Sequence, residues 1–363
     1  MKSIILLIDS LDFGGAENSL ISLANELSNE FEVSIISLKN KNKFYSNKIS
    51  FLSFNSKKIF CFNNIINLIK FFLIQKYSLI LSFSPELAVM ANIANMIILR
   101  KHKTALSFRN NHKYYSRFNK FYCGIVYAFA IIPTDSFHFL TESNKNSYLK
   151  LSFFSFFLKR RMIFIIPNFI RSFNNKSSFF FDRNEKKEII FIGRLDNQKR
   201  PFDFILFCKY VEEYFPNEFS FSIFGDGKLY EKLLTNIKNS EINLSFNFYG
   251  KVKHIESYLK NPVALIFTSE YEGHPGVIGE AITSGIPVFS YPYDSFIIEF
   301  INYCKCSKLS EECNPKSLFK TFKLNYNSLP ISYFDYINDK KIVLKKFSRR
   351  KIINLWKLFI NKL

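Results

Sequence analysis

Residues 263–291 read VALIFTSEYEGHPGVIGEAITSGIPVFSY. Val263 to Phe267 is a continuous apolar run, as expected of a strand covered on both faces. Gly276 to Ser284 predicts a short helix, stopped by Gly285 and then Pro287. Pro287 to Tyr291 is the strand after it. A strand, a crossover helix and a second strand make a parallel pair, and ligands of open parallel sheets bind at the strand ends. The loop between strand and helix, with Glu272 and His274, is therefore the place to look for chemistry.

The same alternation runs outward in both directions. Towards the N-terminus the strand-like runs are Glu188 to Ile192, Phe219 to Phe224 and Leu244 to Tyr249. Helical patterns at Asp203 to Tyr214 and Leu229 to Ile237 separate them. Earlier still, Ile4 to Ile8, Phe31 to Leu38, Tyr77 to Phe83, Thr104 to Phe108 and Met162 to Ile166 read as strands. Leu20, Leu23, Ala24 and Leu27 recur at helical spacing, and further helical stretches lie near residues 65–74, 87–98 and 141–151. The pattern closes at Pro167 and Asn168 and restarts at Glu188. The intervening segment is rich in Asn, Ser, Lys and Glu. The sequence thus predicts an α/β protein of two parallel-sheet domains, 1–170 and 188–339, joined by a linker at 171–187. The basic, amphipathic segment 340–363 follows as a C-terminal helix. Its apolar positions include Ile352, Ile353, Trp356, Phe359 and Ile360. Packing against a domain suits it better than lying on a membrane surface.

Bulk composition agrees. The chain has 363 residues, 48% of them hydrophobic and 22% charged, enough for two cores. Its 45 phenylalanines spread along the whole length and mark no site. The net charge of +20 admits nucleic acid, an anionic membrane surface or phosphorylated substrates as partners. Without a Cys/His finger or an RRM-type aromatic signature, nucleic acid falls away. The six cysteines form neither a metal site nor a disulfide framework, which suits reduced thiols and a cytoplasmic chain. The N-terminal run is too short for a signal-peptide core, and no run reaches the roughly 18 apolar residues that span a bilayer.

Three loops at strand ends carry candidate chemistry. In Gly193-Arg194-Leu195-Asp196-Asn197-Gln198-Lys199-Arg200-Pro201, Arg194 and Lys199 flank a turn and can converge on one diphosphate. A solvated charge cluster is the plainer reading of that loop alone. Phe224-Gly225-Asp226-Gly227 permits a tight turn and a close ligand approach. In Glu272 to Glu280, the start of the short helix at Pro275 and Gly276 offers free N–H groups and a partial positive charge to an anion. Glu280 lies about one turn into that helix and can reach a ligand hydroxyl. Glu272 precedes the helix and can reach another part of the ligand. Alone, the two glutamates could equally be exposed loop and helix charges.

Taken together and in order, these segments resemble family 4 retaining glycosyltransferases of the GT-B fold. EGHPGVIGE at 272–280 resembles that family's E-x7-E motif. Gly193-Arg194-Leu195 with Lys199 resembles its donor-diphosphate loop. Phe224-Gly225-Asp226-Gly227 and Tyr249-Gly250 resemble its later landmarks. Asp12-Phe13-Gly14-Gly15-Ala16-Glu17 resembles its N-domain glycine loop. Ser107 to Asn111 and Ile166-Pro167-Asn168 also sit where members carry similar segments. The resemblance implies two Rossmann-like domains with parallel sheets facing a central cleft, and a last helix crossing back to the N-domain.

The resemblance also implies roles. Arg194 and Lys199 would hold the donor diphosphate, with Gly14 and Gly15 closing over it. Glu280 would bind the ribose. Glu272, as the catalytic carboxylate, would contact the donor sugar near the reacting carbon. The N–H groups of Gly276 and Val277 would help hold phosphate or sugar, and His274 would touch the sugar or pack beside the loop. No Asp-x-Asp pair is present, so no metal is expected and no cofactor beyond a UDP- or GDP-linked sugar donor. The N-domain histidine that many relatives place on the donor sugar has no counterpart in Ser82-Phe83-Ser84-Pro85. The expected reaction moves a hexose or N-acetylhexosamine to a glycan acceptor, a lipid-linked oligosaccharide of O-antigen or capsule synthesis, on the inner face of the plasma membrane. A nucleotide-sugar 2-epimerase and a non-catalytic nucleotide-sugar-binding subunit are the alternatives.

Overall fold

A computed structural model describes residues 2–11, 15–39, 47–75, 78–112, 120–158, 160–170, 186–238, 245–252, 254–326 and 333–363. Most of the expected linker, 171–185, lies outside them, as does Gly14. The chain forms two compact units, residues 1–169 with 349–363, and residues 170–348.

The first unit is a seven-stranded parallel sheet in the order β3-β2-β1-β4-β5-β6-β7. Its strands are β1 (Ser3–Ile8), β2 (Glu32–Ser37), β3 (Ile49–Ser53), β4 (Ser78–Ser82), β5 (Lys103–Phe108), β6 (Ser136–Phe139) and β7 (Met162–Ile165). β1 is buried at every residue, which is why it reads as an unbroken apolar run. Sequence reading passes over β3 and β6. β3 is an edge strand with alternating exposure, and β6 is four residues long with His138 in it. The crossovers are α1 (Gly15–Leu27), α2 (Phe62–Ile74), α3 (Pro85–Ile97), α4 (Lys120–Ile131), α5 (Glu142–Leu149) and α6 (Ser152–Leu158). Ser84 caps α3 by accepting from the Leu87 N–H, and Pro85 opens the helix where its missing N–H costs nothing.

The second unit is a six-stranded parallel sheet in the order β10-β9-β8-β11-β12-β13. Its elements run β8 (Lys187–Ile192), α7 (Pro201–Tyr214), β9 (Phe219–Phe224), α8 (Tyr230–Lys238), β10 (Phe246–Gly250), β11 (Pro262–Phe267), α9 (Gly276–Thr283), β12 (Val288–Ser290), α10 (Ser295–Asn302), β13 (Lys308–Leu309), α11 (Pro315–Tyr326) and α12 (Tyr333–Phe347). In both sheets the strand order reverses next to the first strand, between β1 and β4 and between β8 and β11. Loops leaving such a pair diverge and open a crevice at the strand ends.

The C-terminal segment differs from the single helix expected at 340–363. It is the end of α12 followed by a separate helix, α13 (Arg349–Lys362). Val343 and Phe347 of α12 belong to the core of the second unit. Ile352, Ile353, Trp356, Phe359 and Ile360 of α13 are buried in the first unit, against strands β1, β2 and β4 and helix α1. The chain breaks its helix at Ser348 because the two apolar stripes belong to different cores. α13 is also tied by Arg349 Nη1 to Glu26 Oε1 at 3.0 Å and by Lys357 to Glu30. The expected return of the last helix to the first unit is thus present, and its apolar face is used up in packing.

Candidate functional site

The site residues expected from the second unit gather at the β8/β11 switch. Loop 193–200 leaves β8 and loop 268–275 leaves β11, and the two are stitched together. The Thr268 hydroxyl donates to the Lys199 carbonyl at 2.7 Å. The Glu270 N–H donates to the Gln198 carbonyl at 2.9 Å, and Gln198 Nε2 donates to the Tyr271 carbonyl at 2.9 Å. These bonds set the side chains of the first loop against those of the second.

The result is a close ion pair: Lys199 Nζ lies 2.6 Å from Glu272 Oε1, with both side chains about seven-eighths buried (14% and 13% exposed). The ammonium also lies 5.0 Å from the centre of the Phe267 ring, which adds attraction from the π-face. Two residues that are 73 apart in sequence thus share one charge pair. Arg194 is different. Its side chain is 59% exposed, held by Asp196 Oδ2 at 3.1 Å and donating to Gln198 Oε1 at 2.9 Å. Those contacts keep the guanidinium at the loop surface, beside Lys199 in sequence but open to solvent.

The Gly225 loop supports this floor. Gly225 has φ +145°, and a Cβ there would stand 1.9 Å from the Gly193 carbonyl oxygen. Gly227 has the same problem against Leu195, at 2.4 Å. The Leu195 N–H donates to the Asp226 carbonyl at 3.0 Å, and the Gly225 N–H to the Gly250 carbonyl at 2.8 Å. The glycines thus let two backbones touch and fix the loop that carries Arg194 and Lys199.

Helix α9 begins beside Glu272. Pro275 precedes it, and the Gly276 N–H already donates to the His274 carbonyl at 2.9 Å, so in this conformation that group is engaged within the loop. Val277 and Glu280 are half-buried on the first turns. Gly279 faces Ile170, where a Cβ would clash at 2.1 Å, so α9 lies tight against the start of the unit. His274 packs among aromatic rings, 5.6 Å from Phe296 and 5.4 Å from Phe347, which favours its reading as a packing residue. On the first unit, Gly15 opens α1 and is exposed.

Two residues of this site had no role in the sequence reading. Gln198 is 2% exposed and links Arg194 to the second loop. A neutral amide between cations was the available signal. Tyr293 follows β12, with its ring 6.1 Å from Phe267. Its hydroxyl is buried and makes no hydrogen bond among the described residues. Burial, then the Asp294 and Glu272 carboxylates, push it well above the usual phenol range, so it stays a neutral donor near Glu272. Nothing in the sequence marks it, because it arrives from a third strand end.

In the first unit, Arg109 at the end of β5 is buried. It donates from Nη2 to Asn168 Oδ1 at 2.8 Å and lies 4.9 Å from the Phe83 ring. Burial lowers its pKa to about 10, with Glu17 opposing. It joins the ends of β4, β5 and β7, three of the segments singled out in the sequence. His138 on β6 is buried with Nε2 2.7 Å from the Ile166 carbonyl and Nδ1 2.8 Å from the Ser107 hydroxyl. A carbonyl only accepts, so Nε2 carries the proton and Nδ1 accepts from Ser107. Burial, and then the Arg109 charge, lower this imidazole to about 3. His102 is likewise buried, with its ring between the Ser78 N–H and the Phe72 carbonyl. Both are structural histidines rather than ligand contacts.

Two doubly wound parallel units, with a last helix returning to the first and charged loops at the strand ends of the second, are the architecture of the GT-B glycosyltransferases. Residues 173–324 match the family model of glycosyl transferases group 1. The chain is 28% identical over 296 residues to a Campylobacter jejuni GalNAc-alpha-(1->4)-GalNAc-alpha-(1->3)-diNAcBac-PP-undecaprenol alpha-1,4-N-acetyl-D-galactosaminyltransferase, covering 78% of this chain and 77% of that one. It is 25% identical over 310 residues to the amylovoran biosynthesis glycosyltransferase AmsD of Erwinia amylovora, covering 80% and 81%. Among solved structures, Anabaena HepE in complex with UDP and glucose aligns over 100% of both chains with a TM-score of 0.82 at 15% identity.

Proposed function

We propose that the protein is a retaining glycosyltransferase. It moves a hexose or N-acetylhexosamine from a UDP- or GDP-linked donor to a lipid-linked oligosaccharide in the synthesis of a bacterial surface polysaccharide. The observation that carries the donor half is the Lys199–Glu272 pair at the β8/β11 switch. Breaking a nucleotide–sugar bond leaves growing negative charge on the diphosphate. Lys199 and Arg194 are fixed cations for that charge, and the start of α9 adds its dipole. In this reading Glu272 turns towards the sugar and Glu280 towards the ribose, as the E-x7-E resemblance implies. The solved HepE structure holds UDP and glucose on the same fold, which supports a nucleotide-sugar donor.

The acceptor half rests on the relatives. The Campylobacter enzyme is named for an undecaprenyl-diphosphate-linked acceptor and for N-acetylgalactosamine transfer, and the Erwinia one for amylovoran biosynthesis. An acceptor of that chemistry would be taken by the first unit. Because the leaving charge is met by Lys199 and Arg194, turnover needs no divalent cation in this reading.

The test is transfer and donor hydrolysis measured over a panel of nucleotide sugars, with the product anomer identified by NMR. Lys199→Ala and Glu272→Ala should each lower kcat by about 100-fold or more, and EDTA should leave wild-type activity intact. Survival of both variants at wild-type rates would show that the donor site lies elsewhere.

A further inference from the structure

We propose that one edge of the first unit, formed by the C-terminal ends of α2, α3 and α4, docks on the surface of an anionic lipid bilayer. α2 packs on α3 and α3 on α4. All three cross between parallel strands, so their C-terminal ends emerge at the same edge of the sheet. That edge is apolar and open. Leu73 and Ile74 end α2, Met96, Ile97 and Leu99 end α3, and Phe129 is near the end of α4; each is more than half exposed. The ends are contiguous: Lys101 Nζ donates to the Leu73 carbonyl at 2.9 Å, and Arg100 Nη2 to the Pro133 carbonyl at 2.9 Å. A cluster of large apolar side chains of this kind marks an interaction surface rather than scatter.

The backbone gives a second, independent sign. Leu99 and Arg100 are consecutive residues in the left-handed region, with φ 60° and 56°. L-residues other than Gly, Asn and Asp avoid that conformation, above all in succession. Nothing packs on Leu99 in return, for it is 91% exposed. Strain that holds a leucine out into solvent is the kind of strain kept for function.

Charge selects the partner. Residues 57–135 contain eleven lysines and arginines against two acids, Glu86 and Asp135, a net +9 of the chain's +20. Lys101 brings part of that charge to the helix ends themselves, where Arg100 is paired with Asp135 at 3.2 Å. Two copies of this chain meeting at the edge would press like charges together. A bilayer of anionic lipids instead offers headgroups to the cations and acyl chains to Leu73, Ile74 and Leu99. The basic C-terminal helix does not compete for this role, because its apolar stripe is buried in the first unit. The observations that carry this edge are independent of the transferase reading.

The test is sedimentation of the full chain with vesicles of phosphatidylcholine alone or mixed with phosphatidylglycerol. Binding should require the anionic lipid and fall as salt shortens the Debye length from about 10 Å at 0.1 M towards about 3 Å at 1 M. Leu99→Asp and Ile74→Asp should each lower vesicle partitioning by about tenfold or more. Leu324→Asp, at an equally open position in the second unit (73% exposed), should leave it unchanged. Thermal melts check that each variant is folded. Equal binding to neutral vesicles, no binding at all, or wild-type partitioning by the Leu99 and Ile74 variants would overturn the proposal. A dimer in sedimentation velocity that Leu99→Asp converts to monomer would also overturn it, by assigning the edge to self-association. Hydrolysis of soluble nucleotide sugars, read on the same samples, separates the two readings. Vesicle binding without any donor turnover would sink the transferase reading and leave the membrane edge standing.

Discussion

The charge of Lys199 is answered by Glu272, so Glu272→Gln should free the lysine for another anion. At 2.6 Å the gross attraction is about 6 kcal/mol for an effective dielectric near 20, the value suited to sites near a protein surface. Desolvation of the two groups offsets most of that, and the residual 13–14% exposure screens more. A net coupling of about 1–2 kcal/mol remains, equivalent to roughly 5- to 30-fold in a binding constant. A nucleoside diphosphate without its sugar has nothing to lose from the missing carboxylate, since the proposed function gives Glu272 to the sugar. Glu272→Gln should therefore bind UDP or GDP about 5- to 30-fold more tightly, while sugar transfer falls by about 100-fold or more. Isothermal titration with the nucleoside diphosphate, beside turnover of the nucleotide sugar, reads both effects. The free variant should also melt earlier, because it leaves a mostly buried ammonium without its counter-ion, and the nucleotide should restore part of the loss. If a folded variant binds the nucleoside diphosphate no better than wild type, Lys199 does not hold the diphosphate and the site as drawn is wrong.

Further outcomes follow from the same geometry. Gly225→Ala meets both a φ of +145° and a Cβ 1.9 Å from the Gly193 carbonyl, so a shift of the Arg194 loop is forced. A loss of about 2 kcal/mol or more in denaturant unfolding and a weaker donor Kd are expected, and wild-type values for both would refute the backbone contact. Tyr293→Phe removes a buried hydroxyl that makes no hydrogen bond among the described residues, so stability should hold or rise by about 1 kcal/mol. A rise in donor KM at the same time would assign that hydroxyl to the donor, and an unchanged KM would leave it a packing residue. His138 is lowered from 6.5 to about 3, so the unfolded chain binds a proton that the folded chain refuses. Its contribution is complete above pH 6.5 and is lost as pH falls towards 3, with a slope of about 1.4 kcal/mol per pH unit at most. His138→Gln should flatten that part of the acid limb in melts between pH 7 and pH 4, and an unchanged limb would place the acid sensitivity elsewhere.

Much of this molecule is written locally in its sequence. Interior strands such as Ser3–Ile8 and Pro262–Phe267 are legible because both faces are buried and every residue must be apolar or small. The candidate site residues are legible because they follow those strands, where a parallel sheet opens. Strands β3 and β6 escape reading because an edge strand and a four-residue strand carry little pattern. What the tertiary structure alone decides is who meets whom. Lys199 and Glu272 become one ion pair, Gln198 and Tyr293 enter the site, and Gly225 lies against Gly193, because strands distant in sequence are neighbours in the sheet. It also decides the fate of the basic tail, whose periodicity gives an amphipathic helix but not its partner. The apolar stripe of Arg349–Lys362 is spent on the first unit, and a cluster of exposed apolar residues with basic neighbours lies on the ends of α2, α3 and α4. Periodicity records which residues avoid water; only the packed structure shows what covers them.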